Sequence, residues 1–147
     1  VNVRAPLLLV KLLTAPMIER GRGGVILMSS LAGSQGGPNI AAYAATKAFN
    51  TILAEGLWKE LAPRGIDVLA CVAGAILTPN YLEAESTTSA PGALPAADVA
   101  EQALKALGKG PIVIPGALNK VARVVLGRLL SRRAAIAIMA KNTGGLS

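Results

Sequence analysis

Two short apolar runs, Val25–Met28 and Ile66–Val72, the second interrupted only by Asp67, flank an Ala-rich stretch at residues 40–62. This arrangement constrains the fold more than any other feature. An apolar run with no polar face, bounded by Gly and Ser, suits a strand covered on both sides, and such strands belong to parallel sheets. Parallel neighbours need a crossover of a dozen residues or more, usually a helix. Residues 40–62, which end at Pro63-Arg64-Gly65, fit that helix.

The alternation extends in both directions. Leu8, Leu9, Leu12, Leu13 and Met17 recur at helical spacing within residues 2–20, before Gly21–Gly24 break the run. A Gly-, Ser- and Pro-rich loop is expected from Ser29 to Pro38. Pro95 opens a further helix that runs to Leu107, and residues 111–114 read as a third short strand. From Gly116 the pattern is that of a last amphipathic helix with Arg on one side. Residues 79–94, rich in Thr, Ser, Pro and Gly, read as a mobile loop or lid. The expected class is α/β with parallel strands and crossover helices, without internal repeats.

Composition removes several chemistries. There is no histidine among the 147 residues, which excludes Ser-His-Asp and Cys-His catalysis and His-ligated metals. The single cysteine, Cys71, excludes a disulfide framework and a cysteine-based zinc site. Acid–base work falls to Tyr, Lys, Ser or the eight carboxylates.

Charge is unevenly placed. Through Glu101 there are seven basic and eight acidic residues; beyond it come eight basic residues and no acid. A basic region can meet nucleic acid or an anionic membrane. No aromatic residue follows Tyr81 to stack bases, so no nucleic-acid partner is expected. Peripheral membrane contact by the tail ranks behind a helix that covers the sheet or substrate mouth with a solvated basic face. The apolar opening, residues 5–18, is broken by Lys11 and lacks a convincing cleavage site, so a soluble, cytoplasmic protein is expected.

Tyr43 and Lys47 stand four apart on the expected long helix and share a face. An ammonium beside a phenol favours the phenolate, which allows proton exchange with a substrate oxygen. Composition alone also produces such pairs by chance. Ser29-Ser30 follows the strand Val25–Met28, and ligands of open α/β sheets bind outside the carboxyl ends of strands. A serine there can hydrogen-bond the oxygen that Tyr43 protonates, or it can merely end the strand.

The segment Gly24-Val-Ile-Leu-Met-Ser-Ser30-Leu-Ala-Gly33, followed by Tyr43-Ala-Ala-Thr-Lys47, resembles the catalytic segment of the short-chain dehydrogenase/reductase superfamily. Asn2 matches the position of the family's catalytic asparagine, and Gly65 to Thr78 matches the strand and turn that receive the nicotinamide. The resemblance runs from residue 2 to about 115. It implies Tyr43 as general acid or base, with Lys47 lowering its pKa and bonding the nicotinamide ribose. It also implies Ser30 orienting the substrate oxygen and Asn2 holding a relay water. Gly74, Ile76 and Thr78 would join Tyr43 and Lys47 around NAD or NADP, with no metal. Ala73 stands where the family usually has Pro, which loosens that turn without removing a functional group.

The family's Thr-Gly-x-x-x-Gly-x-Gly phosphate turn does not occur in the sequence. The resemblance therefore implies that residues 1–116 are the carboxyl half of such a domain, a partial Rossmann-type doubly wound sheet with its last three strands. Residues 117–147 would be a basic amphipathic helical extension. The implied reaction is hydride transfer between NAD(P) and a ketone or secondary alcohol, with a lipidic substrate, sterol or acyl, suggested by the basic, apolar tail. The implied full-length state is a homo-oligomer paired through helices 2–20 and 40–62. The isolated chain is expected to bind the cofactor poorly. A silent remnant or dimerising interaction module is the alternative, and a membrane-surface adaptor a third.

Overall fold

The computed structural model describes residues 1–79 and 90–143. Helix α1 (Arg4–Glu19) leads into strand β1 (Gly23–Ser30), a 3-10 turn (Leu31–Ser34) and helix α2 (Ala41–Leu61). Strand β2 (Ile66–Ala73) follows, then the two-residue strands β3 (Ile76–Leu77) and β4 (Leu94–Pro95). Helix α3 (Ala96–Ala106), strand β5 (Ile112–Val113) and helix α4 (Ala117–Val124) come next. A π-helical turn (Val125–Leu129) and helix α5 (Arg132–Thr143) complete the described chain.

Three strands form a parallel sheet in the order β1-β2-β5. The β1–β2 register runs from Gly23 opposite Ile66 to Ser30 opposite Ala73, so both strands end together. In β2, every residue except Asp67 is buried. Side chains alternate along a strand, and the two sets enter two cores. Ile66, Val68, Ala70 and Val72 pack with Val10 of α1, Leu27 of β1 and Ala54 of α2. Cys71 and Ala73 pack with Val99 and Ala103 of α3. Each large apolar side chain removed from water here contributes roughly 1.5–3 kcal/mol. Ala54, fully buried, shows why α2 is Ala-rich: small side chains let the helix lie close to the sheet.

The parallel α/β architecture is the expected one, with several local differences. β1 extends beyond Val25–Met28 to include both serines, because Ser29 satisfies its polar group internally. Its Oγ donates to the Lys47 carbonyl at 2.7 Å and lies 2.7 Å from Thr51 Oγ1. Helix α1 begins at Arg4, so Asn2 lies in the turn before it rather than within the helix. The expected lid falls largely on residues 80–89, outside the described residues. Its far end is ordered as β4, which pairs in parallel with β3. The tail is not one helix: Leu130 is extended (φ −98°, ψ 147°), and Ser131 Oγ accepts the Ala134 N–H at the start of α5. Arg123 donates to Ser34 Oγ, Arg132 donates to the Ser34 carbonyl, and Ala135 is buried, so this tail packs on the turn after β1.

Candidate active site

At the carboxyl end of β1 the chain turns sharply. Ser30 Oγ accepts the Ala32 N–H at 3.2 Å and caps the 3-10 turn. Its own O–H remains a donor for a ligand. The turn then lies directly on α2: a Cβ at Gly33 would sit 2.7 Å from the Ala48 nitrogen. Only a residue without a side chain permits that approach. The turn that Ser30 opens is thereby pressed against the helix at the level of Lys47.

Tyr43 and Lys47 lie one turn apart on α2, as their spacing predicts. Lys47 Nζ is 5.6 Å from the Tyr43 ring centroid, within cation–π range. The ammonium also donates to the Met28 carbonyl of β1 at 3.1 Å. Burial pushes the Lys47 amine below its ordinary pKa, because desolvation disfavours the charged form. Tyr43 keeps 44% of its surface exposed, enough for a ligand to reach it.

The next turn of the same stripe brings Asn50, a residue that sequence reasoning did not single out. Asn50 Nδ2 donates to the same Met28 carbonyl at 3.2 Å, and its Oδ1 is buried with no hydrogen-bond partner among the described residues. The signal was available in the spacing, since Tyr43, Lys47 and Asn50 recur at i, i+4 and i+7. Asn2, Lys47 and Asn50 all line a groove of about 480 Å³ between α1 and the open edge of β1. Ser30 and Tyr43 are not in its wall, so Lys47 is the member common to the groove and the strand end.

Parallel strands put the end of β2 beside the end of β1, which brings residues 74–78 to the same rim of the sheet. Ile76, in β3, packs on the α3 side of the core, and Thr78 follows it half-buried. Gly74 has a close neighbour of its own: a Cβ there would meet Asn119 Oδ1 at 2.6 Å. Buried Asn119 donates to the carbonyls of Gly92 and Pro115, tying three segments together. It too went unnoticed in the sequence. Gln35, beyond the 3-10 turn, is buried with neither amide atom partnered among the described residues.

These groups suit the nicotinamide end of a dinucleotide. A cation, a buried unpartnered carbonyl oxygen and an accessible phenol stand within two turns of one helix, ready for hydroxyls and water. Among the described residues no cluster of three His, Cys, Asp or Glu could hold a metal ion.

Residues 1–89 match the family described as short chain dehydrogenase. The chain belongs to this family. Among curated short-chain dehydrogenase relatives, the 7beta-hydroxysteroid dehydrogenase of Clostridium sardiniense is 37% identical over 106 residues, covering 69% of this chain and 40% of the relative. A solved 7beta-hydroxysteroid dehydrogenase structure superimposes with a TM-score of 0.85 at 29% identity, over 95% of this chain and 54% of the other. A short chain dehydrogenase from Burkholderia cenocepacia J2315, solved in complex with NADP, shares the fold at a TM-score of 0.76 and 23% identity, over 95% of this chain and 57% of its own. The chain thus spans about half the length, or less, of these dehydrogenases.

Proposed function

We propose that this chain carries the catalytic segment of an NAD(P)-dependent oxidoreductase that interconverts a ketone and a secondary alcohol. The observation that carries the reading is the placement of Lys47: its ammonium lies 5.6 Å from the Tyr43 ring and is anchored to β1, two residues before Ser30. When bound, the nicotinamide supplies the hydride in reduction and accepts it in oxidation. The chain supplies position and the proton. Tyr43 Oη gives its proton to the carbonyl oxygen in reduction and takes it from the alcohol in oxidation. Lys47 stabilises the phenolate left behind and bonds the nicotinamide ribose. The free O–H of Ser30 holds the substrate oxygen in line. Asn50, one turn along α2 from Lys47, and Asn2, which lines the same groove, hold the water through which the lysine passes protons to solvent.

Ile76 and Thr78 would border the nicotinamide carboxamide, with Gly74 at the turn before them. The NADP complex of the Burkholderia cenocepacia relative supports the dinucleotide class and leaves NAD open as well. The 7beta-hydroxysteroid dehydrogenases support a bulky, lipidic ketone such as a sterol. We place the protein in the cytoplasm as a homo-oligomer. The exposed Leu8, Leu9 and Leu12 of α1 are compatible with pairing between copies.

The test is reduction of a steroid ketone with NADPH and with NADH, using the full reading frame that contains this chain. Tyr43→Phe removes the transferable proton and is expected to lower turnover by about 10²–10⁴-fold. Undiminished turnover in that variant would sink the mechanism.

A further inference from the structure

Helix α4 and the turn after it are built inside out. Surface helices ordinarily present polar residues to water and apolar ones to the core. Here Asn119 is buried at 4% exposure, and Arg123 reaches inward to Ser34 Oγ. Leu118, Val121 and Val124 point outward with 53%, 57% and 46% of their surfaces exposed, and Leu129 reaches 71%. Lys120 and Arg128 are exposed on the same stretch. The π-helical turn Val125–Leu129 follows directly on α4, and Arg128 and Leu129 at its end are exposed. Beyond the break at Leu130, α5 again exposes apolar residues (Ile136 and Ile138) among cations (Arg132, Arg133 and Lys141). No acidic residue follows Glu101 in the sequence.

Contiguous exposed apolar surface of this kind marks an interaction site, and the charge selects its occupant. A second copy meeting this face would set the six basic side chains of residues 117–147 against six, with no Asp or Glu in either stretch to offset them. A nucleic acid would neutralise the cations but leave the leucines and valines against phosphate, and the tail has no aromatic ring on which a base could stack. A bilayer with anionic headgroups satisfies both features, hydrocarbon for the apolar stripe and negative charge for the flanking cations.

We propose that α4 and its π-helical turn dock on an anionic membrane surface. Leu118, Val121, Val124 and Leu129 enter the acyl boundary, and Lys120 and Arg128 lie among the headgroups. Among the described residues no helix is long and apolar enough to cross a membrane, so the segment lies in the interface plane. A lipidic substrate dissolved in that bilayer would then reach the protein without first crossing water.

Flotation of the purified protein with phosphatidylcholine vesicles, and with vesicles containing phosphatidylglycerol, tests the proposal. Binding is expected only to the anionic vesicles and is expected to weaken as salt rises. Arg128→Gln should lower partitioning about fivefold, the usual contribution of one basic residue near such a surface. Leu129→Glu should lower it by more. Both side chains are exposed, so thermal unfolding of the variants should match the parent. If either variant fails to fold, the lipid and salt dependence of the parent still decides. Failure to bind anionic vesicles at low salt overturns the proposal, as does undiminished binding by a folded Leu129→Glu variant. Self-association or polyuridylate binding without vesicle binding reassigns the face and overturns it equally.

Discussion

Replacing Gly33 by Ala would place a methyl carbon 2.7 Å from the Ala48 nitrogen, 2.9 Å from the Lys47 carbonyl carbon and 3.1 Å from Lys47 Cβ. The two closest are backbone atoms in the middle of α2, so no rotamer change relieves the clash. Ordinary contact begins near 3.4 Å, and the 3-10 turn must lift off the helix to reach it. Gly33 is outside the left-handed region, so backbone strain adds nothing and overpacking sets the cost. Such overpacking costs about 1–3 kcal/mol. With about 2–4 °C of melting temperature per kcal/mol for a chain of roughly this size, Gly33→Ala should melt about 2–12 °C below the parent. Gly36→Ala is the control: its Cβ meets nothing within 4 Å and its φ is also not left-handed. That variant should match the parent or gain about 0.4–1 kcal/mol through a stiffer unfolded chain. Thermal unfolding followed by circular dichroism reads both. Equal melting temperatures for the two variants would refute the contact between the turn and α2.

Other substitutions probe the neighbouring elements. Asn119→Ala removes the donors to the Gly92 and Pro115 carbonyls and should cost about 2–3 kcal/mol, read as a lower urea midpoint. Cys71 is fully buried in β2, and burial pushes its thiol pKa up, so a thiol reagent should modify it only on unfolding. Rapid labelling of the native protein would contradict a central β2. Burial holds Lys47 below the ordinary lysine value of 10.5 in the folded chain, so between that lowered value and 10.5 the unfolded chain binds more protons. Stability of the parent should therefore rise with pH through that window relative to Lys47→Met. Urea midpoints at a series of alkaline pH values would show the opposite slope if the lysine were stabilised as a cation.

The sequence was most legible where side-chain period and burial coincide. The apolar run Ile66–Val72, interrupted only by Asp67, is the central strand, covered on both faces, and the Ala-rich stretch is the helix beside it. The i, i+4 spacing of Tyr43 and Lys47 was equally readable, since helical geometry alone puts them together. What escaped notice were polar residues that do their work inside. Ser29 reads as a strand breaker, yet its hydroxyl is satisfied by the Lys47 carbonyl and Thr51, and the strand continues through it. The i+7 spacing puts Asn50 on the stripe of Tyr43 and Lys47 but does not show that it is buried, and nothing local separates Asn119 from a surface asparagine; the Met28 and Gly92 carbonyls they bond are distant in the chain. The division of the tail was partly visible in Ser131, a good helix cap, but the apolar period from Leu118 onward concealed it.

The register of β1 against β2 reaches further than the sheet. Lys47 is held by the Met28 carbonyl, Ser29 is clamped to α2, and Ser30 opens opposite Ala73. A slip of one residue would turn Ser30 into the position that now buries Ser29 and would offer the lysine a different carbonyl. Lys47 is thus aligned by a strand rather than by a loop. Sheet alignment therefore acts as the ruler for the chemistry, and substitutions far along β1 that loosen pairing would be felt first as misalignment and only later as unfolding.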